Sequence, residues 1–381
     1  MSKTYLQNGL VYQDRTFVSK TLLLEDGKVF VLEPQADVAD GAVVNAEGLR
    51  IVPGFLDTHT HGAVGVDVNG ATAEDLEKIS RFFAQKGTTT WQASVLTDTQ
   101  EQTEWCISQM RRWETLEHQG AELAGIHLEG PFLAPAYKGA MPEHLLQQNN
   151  LPLIAHYQEL AGGKIRYLTL SPELPGAVEM IPALKELGIV VGIGHSGATY
   201  QQAMQAIDAG ATVGTHVGNA MRLLHQHEPA IFGAVLESDC YCEVIADGRH
   251  LHPGTVRILV KAKGADRIVA ISDSIMAAGL PDGYYHLGVN QVVVEQGDAK
   301  LVSDGTRAGS TLTQDVALQN LLAYTGLPLE QVVPMLSENP AREMGLFQRK
   351  GSIADGKDAD LVCLDAENRI VHVFARGRQV L

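Results

Sequence analysis

"RIVPGFLDTHTH", residues 50–61, runs from an apolar stretch into His59 and His61, two histidines separated by a single residue. On an extended strand, side chains two positions apart point the same way, so one strand can bring both imidazoles to one ion. Asp57 stands just ahead, and Gly62 directly after lets the chain turn away sharply. The same reading recurs down the chain. "ELAGIHLEGP" ends at Glu129, "GIVVGIGHSG" at His195 and "ATVGTHVGNAM" at His216. "YCEVIADGRH" ends around Asp247 and His250, and "RIVAISDS" at Asp273. In a (β/α)8 barrel the C-terminal ends of all strands meet at one mouth, where the active site is built. A doubly wound sheet would gather groups from only a few strands near its switch point. The repeated pattern predicts an α/β fold with a (β/α)8, TIM-like barrel over residues 51–349.

Outside that region the rhythm changes. The first fifty residues read as short strands punctuated by Asn-Gly and Asp-Gly turn signals, and "GSIADGKDADLVCLDAENRIVHVFARGRQVL" repeats that grammar. Residues 1–50 and 350–381 are therefore expected to form one small β-sandwich domain built from both termini. Within the barrel region, "DLEKISRFFAQKG" and "TYQQAMQAIDAGA" read as amphipathic helices closed at Gly87 and Gly210.

Composition narrows the function. The chain has 381 residues, 45% of them hydrophobic, which suits a large core or two domains. No run of about eighteen apolar residues occurs, and the start lacks the apolar region of a secretory signal, so a cytoplasmic location is expected. The net charge of −16 opposes nucleic acid and anionic membranes, and a small anionic substrate would need its charge met locally. The four cysteines, Cys106, Cys240, Cys242 and Cys363, are too few for a disulfide framework and read as reduced core thiols.

His59, His61, Glu129, His195 and His216 make a mixed imidazole and carboxylate set suited to zinc, iron or a related divalent ion. Five ligands exceed what a tetrahedral catalytic site with an open position needs. The count allows two ions bridged by Glu129, or one ion with spare ligands. Asp273 is a candidate general base, able to take a proton from activated water, although an aspartate followed by serine could also cap a helix.

"PGFLDTHTHG" resembles the first-strand signature of the amidohydrolase superfamily. "HLEGPFLAPAYKGA", "GHSGATYQQAMQAIDAGA", "THVGNAMRLLHQHEP", "IADGRHLHP", "ISDSIMAAG", "RAGSTLTQD", "NPAREMGL" and "GSIADGKDADLVCLD" are similar, in that order, to N-acetylglucosamine-6-phosphate deacetylases. "MAAGLPDGYY" also resembles the N-acetylgalactosamine-6-phosphate branch. The resemblance spans essentially the whole chain. It implies a metal-dependent barrel, dimeric, that hydrolyses the acetamide of an amino-sugar phosphate. It also implies a bridging role for Glu129, ligand roles for His59, His61, His195 and His216, and catalysis by Asp273. Substrate contacts fall on His250 and on the Asn219–Ala220 backbone. Two positions depart from the family pattern, Met141 and His227, where histidine and arginine are usual. The resemblance implies substrate contact at both positions, so they bear on which N-acyl sugar is used and not on the metal chemistry. The competing readings are an enzyme for an unphosphorylated or otherwise altered N-acyl sugar, one for another amide, and a non-catalytic sugar-phosphate binder. A full ligand set with Asp273 disfavours the binder, which needs no activated water.

Overall fold

The computed structural model describes residues 3–34, 36, 38 and 40–381. Eight parallel strands form one sheet in sequential order. They are β1 (Phe55–Thr60), β2 (Thr88–Leu96), β3 (Glu122–Glu129), β4 (Ile165–Leu170), β5 (Val190–Ile193), β6 (Val213–Gly214), β7 (Tyr241–Ile245) and β8 (Ile268–Ile271). The sheet curls until its edges meet just past the end of β8. There the Asp273 amide donates to the His59 carbonyl at 2.9 Å and the His61 amide to the Ser274 carbonyl at 2.7 Å. The expected barrel is therefore present, with helices that alternate with the strands along the chain and pack around them.

The helices obey their caps. Thr72 and Asp75 form a reciprocal capping box that starts helix Ala73–Gln85, and Thr199 with Gln202 does the same for Tyr200–Ala209. Gly210, at a φ of 121°, ends the second. The four cysteines are all free and buried. Among the described residues, no helix is long and apolar enough to cross a membrane.

Two sheets gather both ends of the chain. Six strands join Leu10–Gln13, Thr16–Ser19 and Arg50–Pro53 to Leu361–Leu364, Ile370–Ala375 and Arg378–Gln379. Four more strands, Thr4–Gln7, Thr21–Glu25, Lys28–Leu32 and Ala42–Asn45, form the second sheet. Leu6, Leu22 and Leu24 from the second sheet bury against Ile51, Leu361 and Phe374 from the first.

The stretch 50–61 is thus two strands and not one. Arg50–Pro53 pairs with Leu361–Leu364 in the terminal sheet, whereas β1 starts at Phe55 in the barrel. Gly54 makes the passage possible, since a Cβ there would sit 2.1 Å from Thr89 Oγ1. A further element goes beyond the sequence reading. Gly283–Leu287, Asn290–Glu295 and Asp298–Leu301 form an antiparallel meander after β8. Its Leu287, Val292 and Leu301 pack on Leu96, Leu133 and Met141 at the barrel mouth.

Candidate active site

β1 points Asp57 and His59 to its inner face, and His61 continues that alternation one residue beyond the strand. Glu129 is the last residue of β3. His195, His216 and Asp273 each lie two residues past the ends of β5, β6 and β8. All three carry left-handed backbone, with φ of 47°, 27° and 50°. Non-glycine residues rarely adopt that conformation, and the surrounding structure must hold them there. The turn it produces swings each side chain back over the barrel axis.

Glu129 sits between two histidine pairs. Its Oε1 lies 3.3 Å from His59 Nε2, 3.2 Å from His195 Nε2 and 3.0 Å from His216 Nε2. Its Oε2 lies 3.2 Å from His61 Nε2. Within the pairs, the Nε2 atoms of His59 and His61 are 3.2 Å apart, and those of His195 and His216 are 3.1 Å apart. Asp273 Oδ1 stands 3.2 Å from His61 Nε2. All six side chains are buried.

This donor set fits divalent metal. A carbonyl oxygen only accepts, so His61 Nδ1 donates to Ser94 O at 3.1 Å and His195 Nδ1 donates to Tyr137 O at 2.9 Å. With its proton on Nδ1, each neutral ring aims its Nε2 lone pair at the Nε2 of its pair partner, His59 or His216, and at the Glu129 carboxylate. Lone pairs facing lone pairs at about 3 Å call for a cation between them. Two groups, His59–His61–Glu129 and Glu129–His195–His216, each have the spacing to hold an ion, and they share Glu129.

The electrostatics tell the same story. Burial by itself disfavours a charged imidazole at His61, yet Asp273 and Glu129 overcome it and raise its pKa to about 9. His59 is likewise driven upward against burial by Glu129 and Glu243. Burial opposes the Glu129 carboxylate as well, and the surrounding imidazoles hold its pKa well below the ordinary range. The site pulls in positive charge, as a cluster of buried carboxylates around histidines does when it is built to hold a cation.

Above the ligands opens a cavity of about 280 Å³. Met141, Asn219, Ala220 and His250 line it together with His61, Glu129, His195, His216 and Asp273. His59 lies deeper, fully buried. His250 is fixed by its Nδ1, 2.7 Å from Asp247 Oδ2. Met141 turns its thioether into the wall formed with Leu96 and Leu287. His227 does not join these residues. A short hairpin, closed by His225 N to Glu228 O at 3.0 Å and its reciprocal bond, leaves the His227 ring in solvent. Its nearest ring partner is the side chain of Gln226 at 3.2 Å. The substrate contact expected of His227 is therefore absent from this chain's own cavity.

Three residues stand out that the sequence reading did not single out. Glu243, on β7, accepts the His216 amide at 3.1 Å and lies 3.3 Å from His59 Nδ1 through the same oxygen. His127 lies beneath the site with Ser94 Oγ at 2.8 Å and Thr169 Oγ1 at 2.9 Å, stacked on Tyr167. Arg307 lines the cavity from the chain that leaves the meander. A signal existed for two of them. A glutamate inside the apolar run "YCEVIA", and a histidine two positions before Glu129, both fall on inward-facing strand positions.

A family model for the amidohydrolase family matches residues 50–380. The chain is 37% identical over 331 residues to an N-acetylglucosamine-6-phosphate deacetylase of Bacillus subtilis, covering 86% of this chain and 83% of that one. It is 32% identical over 371 residues to an N-acetylgalactosamine-6-phosphate deacetylase of Escherichia coli O157:H7, covering 94% and 97%. A mutant N-acetyl-D-glucosamine-6-phosphate deacetylase of Mycobacterium smegmatis, solved with N-acetyl-D-glucosamine-6-phosphate, superimposes with a TM-score of 0.93. That pair is 32% identical, with 100% of each chain covered.

Proposed function

On the premise that the chain belongs to the amidohydrolase family, we propose that it deacetylates an N-acetylhexosamine 6-phosphate, releasing acetate and the amino-sugar phosphate. The observation that carries this reading is Glu129, set between two histidine pairs with Asp273 beside them. In this reading His59, His61, Glu129, His195 and His216 hold one or two divalent ions, and the imidazole-rich set suits zinc or iron. Such ions, when bound, polarise the amide carbonyl and make water acidic enough to lose a proton near neutral pH.

The chain's own groups do the rest. Asp273 takes that proton on its carboxylate and delivers it to the amide nitrogen as the C–N bond breaks. Burial works against the charged form of Asp273, but His61 and His59 keep its pKa below the usual value, so it is ionised and ready to accept. His250 and the Asn219–Ala220 backbone orient the sugar, and Met141 gives an apolar wall. The proposal includes a small β domain built from both termini, a cytoplasmic location and a homodimer. The N-terminal part of that domain runs on through the strand Arg50–Pro53 rather than ending at residue 50, with 350–381 as its C-terminal part. Leu223 and Leu224, solvent-exposed on the hairpin beside His227, support the dimer.

The test measures acetate release from N-acetylglucosamine, N-acetylgalactosamine and their 6-phosphates. Asp273→Asn is the control, because asparagine preserves shape but cannot accept the proton. We expect a kcat/KM at least about tenfold higher for a 6-phosphate, and a loss of about 10²–10⁴ in Asp273→Asn. A tenfold preference for an unphosphorylated sugar overturns the reading.

A further inference from the structure

A phosphorylated substrate brings charge into the mouth of a protein whose net charge is −16, and that charge must be met locally. His227 faces away from the cavity. Among the described residues lining the cavity, Arg307 is the one lysine or arginine.

The surroundings of Arg307 make it a prepared anion contact. Its Nε donates to Asp298 Oδ1 at 2.7 Å and its Nη2 to Asp298 Oδ2 at 3.0 Å. That paired grip fixes the plane of the guanidinium and occupies two of its five N–H bonds. Both Nη1 hydrogens and one on Nη2 stay available. Asp298 is shared with Lys300 at 3.0 Å, so the trio keeps a net positive charge. The next acidic neighbour, Asp247, is already engaged by the His250 ring and by the amides of Arg249 and His250.

The backbone ties this cation to the reacting centre. Ala308 N donates to Ala299 O at 3.1 Å, and Ser310 N donates to Asp273 O at 2.7 Å. Gly309, between them, has a φ of 59° and presses so closely that a Cβ would sit 2.9 Å from Asp273 O. Arg307 is therefore held at a set distance from Asp273 by four residues of pinned chain. A long, flexible side chain on a loose loop would lack that property.

We propose that Arg307 recognises the phosphate of the substrate, presenting the free edge of its guanidinium as a bidentate fork. The inference rests on the reading of a 6-phosphorylated substrate given above. It makes Arg307 a specificity-determining residue: it separates phosphorylated from unphosphorylated sugars and leaves the amide chemistry to other groups. The meander after β8 then has a task, because Asp298 at the start of its last strand aims the arginine.

The test compares wild type, Arg307→Gln and Arg307→Lys on one N-acetylhexosamine with and without its 6-phosphate. The readout is the ratio of the two kcat/KM values. Removing a charge-assisted fork should lower that ratio about 10–100-fold in Arg307→Gln, chiefly through KM on the phosphorylated sugar. Arg307→Lys keeps the charge without the fork and should fall between. Inorganic phosphate, as a competitive inhibitor, should weaken in the same order. A wild-type preference that Arg307→Gln leaves within about twofold overturns the role of Arg307 while the phosphate reading stands. A wild type with no preference for the phosphate overturns both.

Discussion

Strand β3 begins at Glu122 and ends at Glu129, and these two glutamates live in opposite surroundings. At the first end, Glu122 meets Arg349 and the buried Lys350, with Asp358, Asp360 and Lys28 completing the group. Three cations face three carboxylates there: Lys28, Arg349 and Lys350 against Glu122, Asp358 and Asp360. Burial opposes ionisation of Glu122, yet Arg349 and Lys350 bring its pKa down to about 2. At the second end, Glu129, Asp273 and Glu243 crowd around histidines with no lysine or arginine among them. One cluster carries its own counter-charge and joins the barrel to the terminal sheets. The other lacks it, and that lack is what makes it a binding site. A buried charge is costly unless paired, so an unbalanced cluster held in a rigid barrel marks a place for a ligand.

The largest effect should come from Glu129→Ala, which removes the ligand shared by both ion positions. Turnover should fall at least about a thousandfold, because several kcal/mol of charge stabilisation at the transition state disappears with the metal. Metal content by elemental analysis should fall with it, while circular dichroism and the metal-free denaturation midpoint stay at or above wild type. A Glu129→Ala protein with full metal content would break the comparison at its functional end.

A smaller effect of the opposite kind belongs to Lys350→Met. Methionine fills most of the volume but leaves Asp360 and Glu122 short of a buried partner, which costs about 3–5 kcal/mol. Metal content and kcat of the folded protein should not move. The acid limb sharpens the point. Glu122 has a depressed folded pKa, so its stabilising contribution is present above the ordinary glutamate value of 4.5 and is lost as pH falls toward about 2. Urea denaturation of wild type and Lys350→Met between pH 7 and pH 3 measures both, and the gap between them should narrow as pH falls. A Lys350→Met midpoint equal to wild type at pH 7 would show that this cluster contributes nothing to stability.

How much of this was legible in the sequence differs between the two ends. The barrel and the five converging histidine and glutamate groups could be read because six of the eight strands end at or just before a reactive side chain, and position along a strand is a one-dimensional property. The left-handed backbone at His195, His216 and Asp273 left no such trace, since nothing in those residue types demands it. Gly54 looked like one glycine in a continuous apolar strand, and only the approach of Thr89 reveals a boundary. The Lys350 cluster was invisible for another reason. Its members are spread from residue 28 to residue 360, and ion pairing between distant residues has no period. The His227 hairpin shows the converse limit: a resemblance can place a residue in a motif, but chain direction decides whether it faces the cavity.

Glu243 lies between the two kinds of cluster and permits the finest test. Its Oε2 serves both the His216 amide and His59 Nδ1, while Thr58 Oγ1 donates to its Oε1 at 3.3 Å. Glu243→Gln can keep all three contacts: the amide oxygen replaces Oε2, and the new NH₂ donates to the Thr58 hydroxyl, which can also accept. What is lost is one negative charge beside His59. If Glu243 served stability alone, as Lys350 serves its own cluster, the variant would change the denaturation midpoint equally with and without metal. If its charge helps His59 hold an ion, the two midpoints should separate. Without metal the variant should be as stable as wild type or more so, because one uncompensated buried carboxylate has gone. With metal it should gain less, because a hydrogen-bonded carboxylate behind a ligand histidine raises the basicity of that ligand. A tenfold weaker ion would shrink the metal-induced stabilisation by about 1.4 kcal/mol at saturating metal. Titrating zinc into both proteins while following the urea midpoint reads this difference directly. Equal metal-induced shifts in Glu243→Gln and wild type would assign Glu243 to the structural kind of cluster, with Glu122 at the far end of the barrel.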